Sequence, residues 1–254
     1  MTGVQTCALP ISLTLIEAIT HSVNVIPVKL SIELGHGNPK LGRAMIVQTA
    51  RNFGIQSPLP DTPSLPIGAD EVTVIEHAVA YATFPNKGKA VTPHSVLEVR
   101  TGAGDLVWRW DRDGPKPRVA IPGSTAADMV GMMSHVVSEG TARRAAMAGI
   151  PTAGKTGTTN AYRDAWFVGY TGNFTCAVWY GNDDYSPTNR MTGGSLPAQT
   201  WHDIMVVAHQ GIEVRELAPE RSAPGHDVRQ RRAVLALQPL EEREPVVHLL
   251  KARG

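Results

Sequence analysis

The stretch "DAWFVGYTGNFTCAVWYGND", residues 164–183, constrains the fold more than any other part of the chain. Two apolar, aromatic runs of strand length flank Gly172-Asn173, a tight-turn pair, so the segment reads as two antiparallel strands. Just upstream, "AGKTGTT" at residues 153–159 carries no helical period and runs towards the first of these strands. A sheet of this kind must bury a face, and the rest of the chain supplies helices to cover it.

Those helices announce themselves by their ends. Thr14 and Glu17 are spaced as a capping box, opening a helix to about His21, and "SVN" at residues 22–24 breaks it. "VIPVKLSIEL" resumes helical spacing and stops at Gly35. Asn38 as N-cap and Pro39 in the first turn open another helix that closes at Gly54. "QSPLPDTPSLPIGA" holds too many breakers for regular structure. Thr73 and Glu76 form a second capping box before "VIEHAVAYATF". "SVLEVRTGAGDLVWRWD" alternates as a β-hairpin around "TGAG", and "STAADMVGMMSHVVSEG" is a helix with Ser124 as its expected N-cap. "SLPAQTWHDIMVVAHQG" is a closing amphipathic helix, and from Glu213 onward mixed charges and prolines predict a solvated, disordered tail. This order predicts an α+β layer structure, helices over an antiparallel sheet.

Bulk properties remove several functions. A net charge of +1 and a pI near 7.9 give no general pull on nucleic acid. No apolar run approaches the length needed to span a bilayer, and "MTGVQTCALPIS" lacks the basic start of a secretory signal. Cys7 and Cys176 form no metal-ligand pattern, and Cys176 reads as a small buried hydrophobe. The 9 histidines show no metal-ligand spacing on a convincing helix, so neither a metal nor another cofactor is expected. Trp166, Phe167 and Trp179 read as sheet core, Asp183 and Asp184 as turn formers, and Arg163 with Asp164 as cleft lining or a turn ion pair.

Two motif readings compete for residues 149–158. "GIPTAGKT" fits the phosphate loop G-x-x-x-x-G-K-[ST], which requires a buried strand before it and a helix starting at its Lys-Thr. The upstream "EGTARRAAMAG" is alanine-rich and basic, no helix follows, and Pro151 removes a backbone donor, so the match is accidental. The other reading is Lys155-Thr156-Gly157 on a strand facing a substrate. Lys155 can hold a carboxylate and polarise a hydroxyl, Thr156 and Thr158 can bond that carboxylate, and Gly157 leaves room beside the backbone. Ser22-Val23-Asn24 lies upstream at the helix break, where a helix-capping role is the local alternative.

Ser-x-Asn followed by Lys-Thr-Gly resembles two of the three motifs of the penicillin-recognising serine enzymes. "LTLIEAITHSVNVIPVKL", "PSLPIGADEVTVIEHAVAYATFPNKG", "VVSEGTARRAA" and "AGKTGTTNAYRDAWFVGYT" together resemble the transpeptidase domain of class A penicillin-binding proteins, over residues 13–209. That resemblance implies the penicillin-binding transpeptidase and serine β-lactamase-like fold. It also implies peptidoglycan cross-linking on D-Ala-D-Ala stem peptides, β-lactams as inhibitors, and a place on the outer face of the bacterial inner membrane. Ser22 would relay a proton, Asn24 bond the substrate amide, and Lys155 keep the site electropositive. Thr156 and Thr158 would hold the terminal carboxylate, and the Thr158 N–H would face an oxyanion.

The family's nucleophile and base sit in Ser-x-x-Lys, and no serine of this chain is followed by Lys three positions later. The chain is therefore expected to be a partial transpeptidase domain over residues 13–212. Residues 1–12 would be a foreign junction, and the nucleophile helix, glycosyltransferase domain and membrane anchor would lie upstream. As it stands it is expected to be inactive. A β-lactamase-like hydrolase of the same fold and a non-catalytic envelope scaffold are the alternatives, although no Glu-x-x-x-Asn base for a deacylating water is present.

Overall fold

The computed structural model describes residues 13–217 and the pair 232–233. Its centre is a three-stranded antiparallel sheet in the order β4 (Ala153–Thr158), β5 (Asp164–Tyr170), β6 (Thr175–Gly181), which leaves β4 at an edge. Lys155 pairs with Val168, Gly157 with Trp166, and Trp166 with Trp179. The β5–β6 turn closes as the sequence predicts, with Thr171 N–H donating to the Phe174 carbonyl at 2.8 Å. The Thr171 hydroxyl accepts from the N–H groups of Asn173 and Phe174, each at 3.1 Å.

The helices are α1 (Leu15–Thr20), α2 (Val25–Leu34), α3 (Pro39–Asn52), α4 (Val74–Ala82), a single turn α5 (Trp110–Asp113), α6 (Gly123–Ser138) and α7 (Leu196–Ala208). Of these, α4, α6 and α7 pack against the sheet, with α4 and α7 on opposite faces. Strand alternation sends neighbouring aromatics to opposite faces. Trp166 meets His77 of α4 edge-on at 4.9 Å, whereas Phe167, fully buried, meets Trp201 of α7 edge-on at 5.2 Å. Tyr170 stacks with Phe84 at 6.2 Å and is fully buried beside Met133 of α6. The Trp201 indole donates to the Cys176 carbonyl at 3.0 Å, satisfying its only polar atom in the core. Peripheral pairs β2 (Glu98–Arg100) with β3 (Leu106–Arg109), and β1 (Leu13–Thr14) with β7 (Arg232–Ala233), are antiparallel.

Both capping boxes form. Thr14 Oγ1 accepts from Glu17 N–H at 3.1 Å while Glu17 accepts from Thr14 N–H at 2.8 Å. Asn38 caps α3 by accepting from the N–H groups of Lys40 and Leu41. Three local expectations need correction. Ser124 does not cap α6: the Pro122 carbonyl accepts from Ala126 N–H at 3.0 Å, so the helix begins at Gly123 and Ser124 lies inside its first turn. The hairpin strand ends at Arg109, because Asp113 accepts from Arg109 N–H at 2.8 Å and Trp110 stacks on His94 at 3.6 Å. The predicted tail starts exposed, as expected, over residues 213–216, but it is tied to the hairpin turn rather than free. Asn173 in the hairpin turn holds Glu213 O at 3.0 Å and Arg215 N at 2.9 Å, and Leu217 is 8% exposed in the core with Tyr170. A Cβ on Gly172 would fall 2.2 Å from the Arg215 carbonyl, so glycine is required at that close approach. The rest of the predicted tail, apart from residues 232–233, lies outside the described residues, as do Cys7 and the proposed junction.

The side chains of the aromatic strands also divide differently from expectation. Trp179 is 38% exposed and donates to Asp164 at 2.9 Å, so it is a surface residue rather than core. Asp164 is thus engaged by Trp179 and Thr159, and the Arg163 guanidinium lies 4.8 Å over the Tyr185 ring, so the two do not pair with each other. Cys176 is half-buried against the α7 core, and burial pushes its thiol pKa up. Asp184 does form a turn, accepting from Ser186 N–H at 3.0 Å.

Glu76 ties the proline-rich segment to the head of α4. Its carboxylate accepts from Gln56 N–H at 2.7 Å, Ser57 N–H at 2.9 Å, Thr73 N–H at 3.2 Å and the Ser57 hydroxyl. The Ser57 hydroxyl, followed by those backbone N–H groups, holds its pKa down to about 2 from an ordinary 4.5, against the upward push of desolvation. A folded pKa below the unfolded one contributes stability above about pH 4.5 that is lost as pH falls towards 2. Glu76→Gln should therefore cost about 1 kcal/mol at neutral pH by loss of the cap, and flatten the fall in stability below pH 4.5. Urea unfolding at several pH values measures this; an unchanged acid slope would contradict it.

Candidate active site

The last turn of α1 ends as a six-residue helix stop. Val23 N–H donates to the Ala18 carbonyl at 2.9 Å, and Ser22 N–H to the Ile19 carbonyl at 3.2 Å. This pair of hydrogen bonds is the Schellman pattern, and it places Ser22 at the position that normally takes glycine. Ser22 accordingly has φ +55°, in the left-handed region. A serine there costs about 1 kcal/mol relative to glycine. In return, its hydroxyl stands exposed at the end of α1, where it accepts from Lys155 Nζ at 2.8 Å, 133 residues away in sequence. Asn24 begins α2 with helical backbone angles and an exposed side chain that makes no capping bond. Neither residue of Ser-x-Asn is therefore spent on the side-chain capping role that its type favours.

Lys155 lies in the middle of edge strand β4, and its Nζ also donates to the Thr156 carbonyl at 3.0 Å. Its position inside a strand, with no helix beginning at Lys-Thr, disposes of the phosphate-loop reading. Burial of the ammonium pushes its pKa down to about 8. At pH 7 about a tenth of such amines are neutral, against well under a thousandth for an unperturbed lysine. An amine that is partly neutral near pH 7 and in contact with a hydroxyl can take part in a proton relay that runs through that hydroxyl.

Thr156 and Thr158 project beside this pair. The Thr156 hydroxyl is 2.6 Å from that of Thr141, and the Thr158 hydroxyl accepts from Gly193 N–H at 3.0 Å. Gly157 sits between them, where a Cβ would come 3.3 Å from Trp166 Cβ. Gly193 presses its backbone onto the same spot: a Cβ there would fall 2.2 Å from the Trp166 carbonyl and 2.6 Å from that of Gly157. The strand, the Ser22 turn and the loop at Gly193 thus meet at one place. They are held by α6, which packs on β4 and α1, and by Thr141 N–H donating to the Thr20 carbonyl at 3.3 Å. Ser22, Lys155, Thr156, Gly157 and Thr158 converge here; the Asn24 side chain is one residue beyond the turn and bonds to none of them. Thr141 and Gly193 were not identified from sequence, since a lone threonine after a helix and a glycine in a loop carry no motif. Among the described residues no group of histidines, cysteines or carboxylates could hold a metal, and no helix is long and apolar enough to cross a membrane.

An antiparallel sheet between helices, with Lys-Thr-Gly on its edge strand against a Ser-x-Asn turn, defines the penicillin-recognising transpeptidase fold. The profile of the penicillin binding protein transpeptidase domain matches residues 5–206, and the chain belongs to that family. It is 32% identical over 216 residues to penicillin-binding protein 1A of Aquifex aeolicus, covering 82% of this chain and 28% of that protein. It is 34% identical over 204 residues to penicillin-binding protein 1A of Neisseria meningitidis, covering 78% and 25%. The chain thus spans about a quarter of the length of these relatives. Among solved structures, the PonA1 protein of Mycobacterium tuberculosis in complex with penicillin V superposes with a TM-score of 0.68 at 26% identity. That likeness covers 83% of this chain and 62% of that one. Penicillin-binding protein 1A of Haemophilus influenzae superposes at 0.66 and 19% identity over 80% of this chain and 35% of that one, a likeness of fold.

Two outcomes follow from the site's energetics. Ser22→Gly and Ser22→Ala both remove the hydroxyl that Lys155 donates to, so the difference between them isolates the left-handed strain: the glycine variant should be more stable than the alanine variant by about 1 kcal/mol, or about 2–4 °C in Tm. Equal stabilities of the two variants by calorimetry would contradict the strained-turn account. For Lys155, a folded pKa below the unfolded 10.5 means the folded state is penalised while the amine is charged, so stability rises from about pH 8 to 10.5. Lys155→Met should abolish that rise, and direct NMR titration of Nζ should show a midpoint near 8. A midpoint at 10.5 would contradict it.

Proposed function

We propose that this chain is the substrate-holding part of a peptidoglycan cross-linking D,D-transpeptidase of the bacterial cell envelope, acting through a seryl acyl-enzyme. The observation that carries this reading is the 2.8 Å contact between Lys155 and the strained Ser22 hydroxyl. In it, Ser22 relays a proton between the lysine of a Ser-x-x-Lys segment and the departing or incoming amine, while Lys155 keeps the relay electropositive. Asn24 donates to the amide of the stem peptide. The Thr156 and Thr158 hydroxyls hold the terminal carboxylate of D-Ala-D-Ala, or that of a β-lactam in its place, and the Thr158 N–H faces the oxyanion. Gly157 keeps the strand free of a side chain at the point where Trp166 and Gly193 crowd it.

The chain holds no Ser-x-x-Lys, so the seryl ester requires a nucleophile segment that these 254 residues do not include. We take residues 13–212 as the partial transpeptidase domain. Intact mass after incubation with penicillin V should show the unmodified chain. A fusion to the Ser-x-x-Lys segment of a relative should form a stable stoichiometric adduct, and Ser22→Ala should slow its formation about 100-fold. An adduct on the chain alone would overturn its dependence on a second segment. Rapid hydrolysis of the adduct in the fusion would favour a β-lactamase-like enzyme, and no adduct there would favour a non-catalytic scaffold.

A further inference from the structure

Thr141 belongs to neither motif, yet it touches the site more closely than Asn24 does. It follows α6, and its hydroxyl lies 2.6 Å from that of Thr156. Its backbone is fixed independently of that hydroxyl. Thr141 N–H donates to the Thr20 carbonyl at 3.3 Å, and Gly194 lies so close that a Cβ on it would fall 2.1 Å from the Thr141 carbonyl. The side chain is exposed, so the fold does not depend on burying it.

A hydroxyl has one proton to give and two lone pairs to receive with. At Thr158 the direction is set by the backbone: Gly193 N–H donates to its oxygen at 3.0 Å, leaving the Thr158 proton for a ligand. At Thr156 the direction depends on its partner. When Thr141 donates, Thr156 keeps its own proton for the ligand; when Thr156 donates to Thr141, it presents only lone pairs. An anion beyond Thr156 stabilises the first arrangement, and the two hydroxyls then form a polarised chain towards it.

We propose that Thr141 is a positioning residue that donates its proton to Thr156 and so fixes Thr156, alongside Thr158, as a donor to a carboxylate. The ligand class is a peptide or peptide-like molecule with a free terminal carboxylate. A terminal carboxamide is discriminated against, because its NH2 would face two hydroxyls whose protons already point at it. This inference rests on the reading of Thr156 and Thr158 as the carboxylate clamp, and Thr141 supplies its selectivity.

The test is NMR titration of the full chain with N-acetyl-D-Ala-D-Ala and with its C-terminal amide. Wild type should bind the acid about tenfold more tightly than the amide. Thr141→Val, which keeps the shape and removes the hydroxyl, should weaken acid binding about fivefold and leave amide binding unchanged; Thr141→Ser should restore the preference. An unchanged acid-to-amide ratio in Thr141→Val would overturn the role of Thr141 while leaving the clamp intact. Equal weakening of both ligands would overturn it too, since that is what a merely structural role produces. A wild-type chain with no preference for the acid would overturn the clamp itself, and this inference with it.

Discussion

The hydrogen bond from Lys155 to Ser22 is the contact on which the site depends, because it is the direct side-chain link between β4 and the end of α1, two elements that α6 packs against in common. Lys155 belongs to an edge strand whose position is set by the β5–β6 hairpin and the core beneath it. Ser22 belongs to a helix stop that has its own hydrogen bonds and its own strain. Their meeting at 2.8 Å requires α1, α6 and β4 to be mutually in place. A small displacement of any of them would leave a half-buried ammonium with the Thr156 carbonyl but without its hydroxyl, and part of its desolvation would then go uncompensated.

The same layout accounts for why strain and burial are tolerated here. Serine in a left-handed position and lysine in a low-dielectric setting are both unfavourable locally, and the surrounding packing over-determines them. Phe167 and Trp201 on one face, and Tyr170, Phe84 and Met133 on the other, bury β5 on both sides, and β4 is registered against it along its whole length. The loop at Gly193 presses on the backbone of the Gly157–Trp166 pair, so that a side chain at Gly193 could not be accommodated without a shift.

Much of this was legible in the residues because it is local. Capping boxes at Thr14 and Thr73, the Asn38 cap, and the Gly172-Asn173 turn act within a few residues of themselves, and each formed as its spacing predicts. The pairing of Ser22 with Lys155 was legible only through the likeness of two motifs 133 positions apart. Two features that stayed hidden were decided by partners distant in sequence: Trp110 left its strand for a stack on His94, and Leu217 joined the core beside Tyr170. Ser124 lost its cap locally, because α6 already starts at the Pro122 carbonyl. Thr141 was invisible because a hydroxyl acquires meaning only from what it faces.

The central claim is that the Ser22 turn rests on Lys155 in the folded chain. A nuclear Overhauser measurement between the Lys155 ε-methylene and the Ser22 β-methylene protons tests it directly, since an Nζ–Oγ contact of 2.8 Å brings those groups within about 5 Å. The account predicts a cross-peak that vanishes on unfolding in urea. A well-dispersed, folded spectrum in which that cross-peak is missing would contradict it.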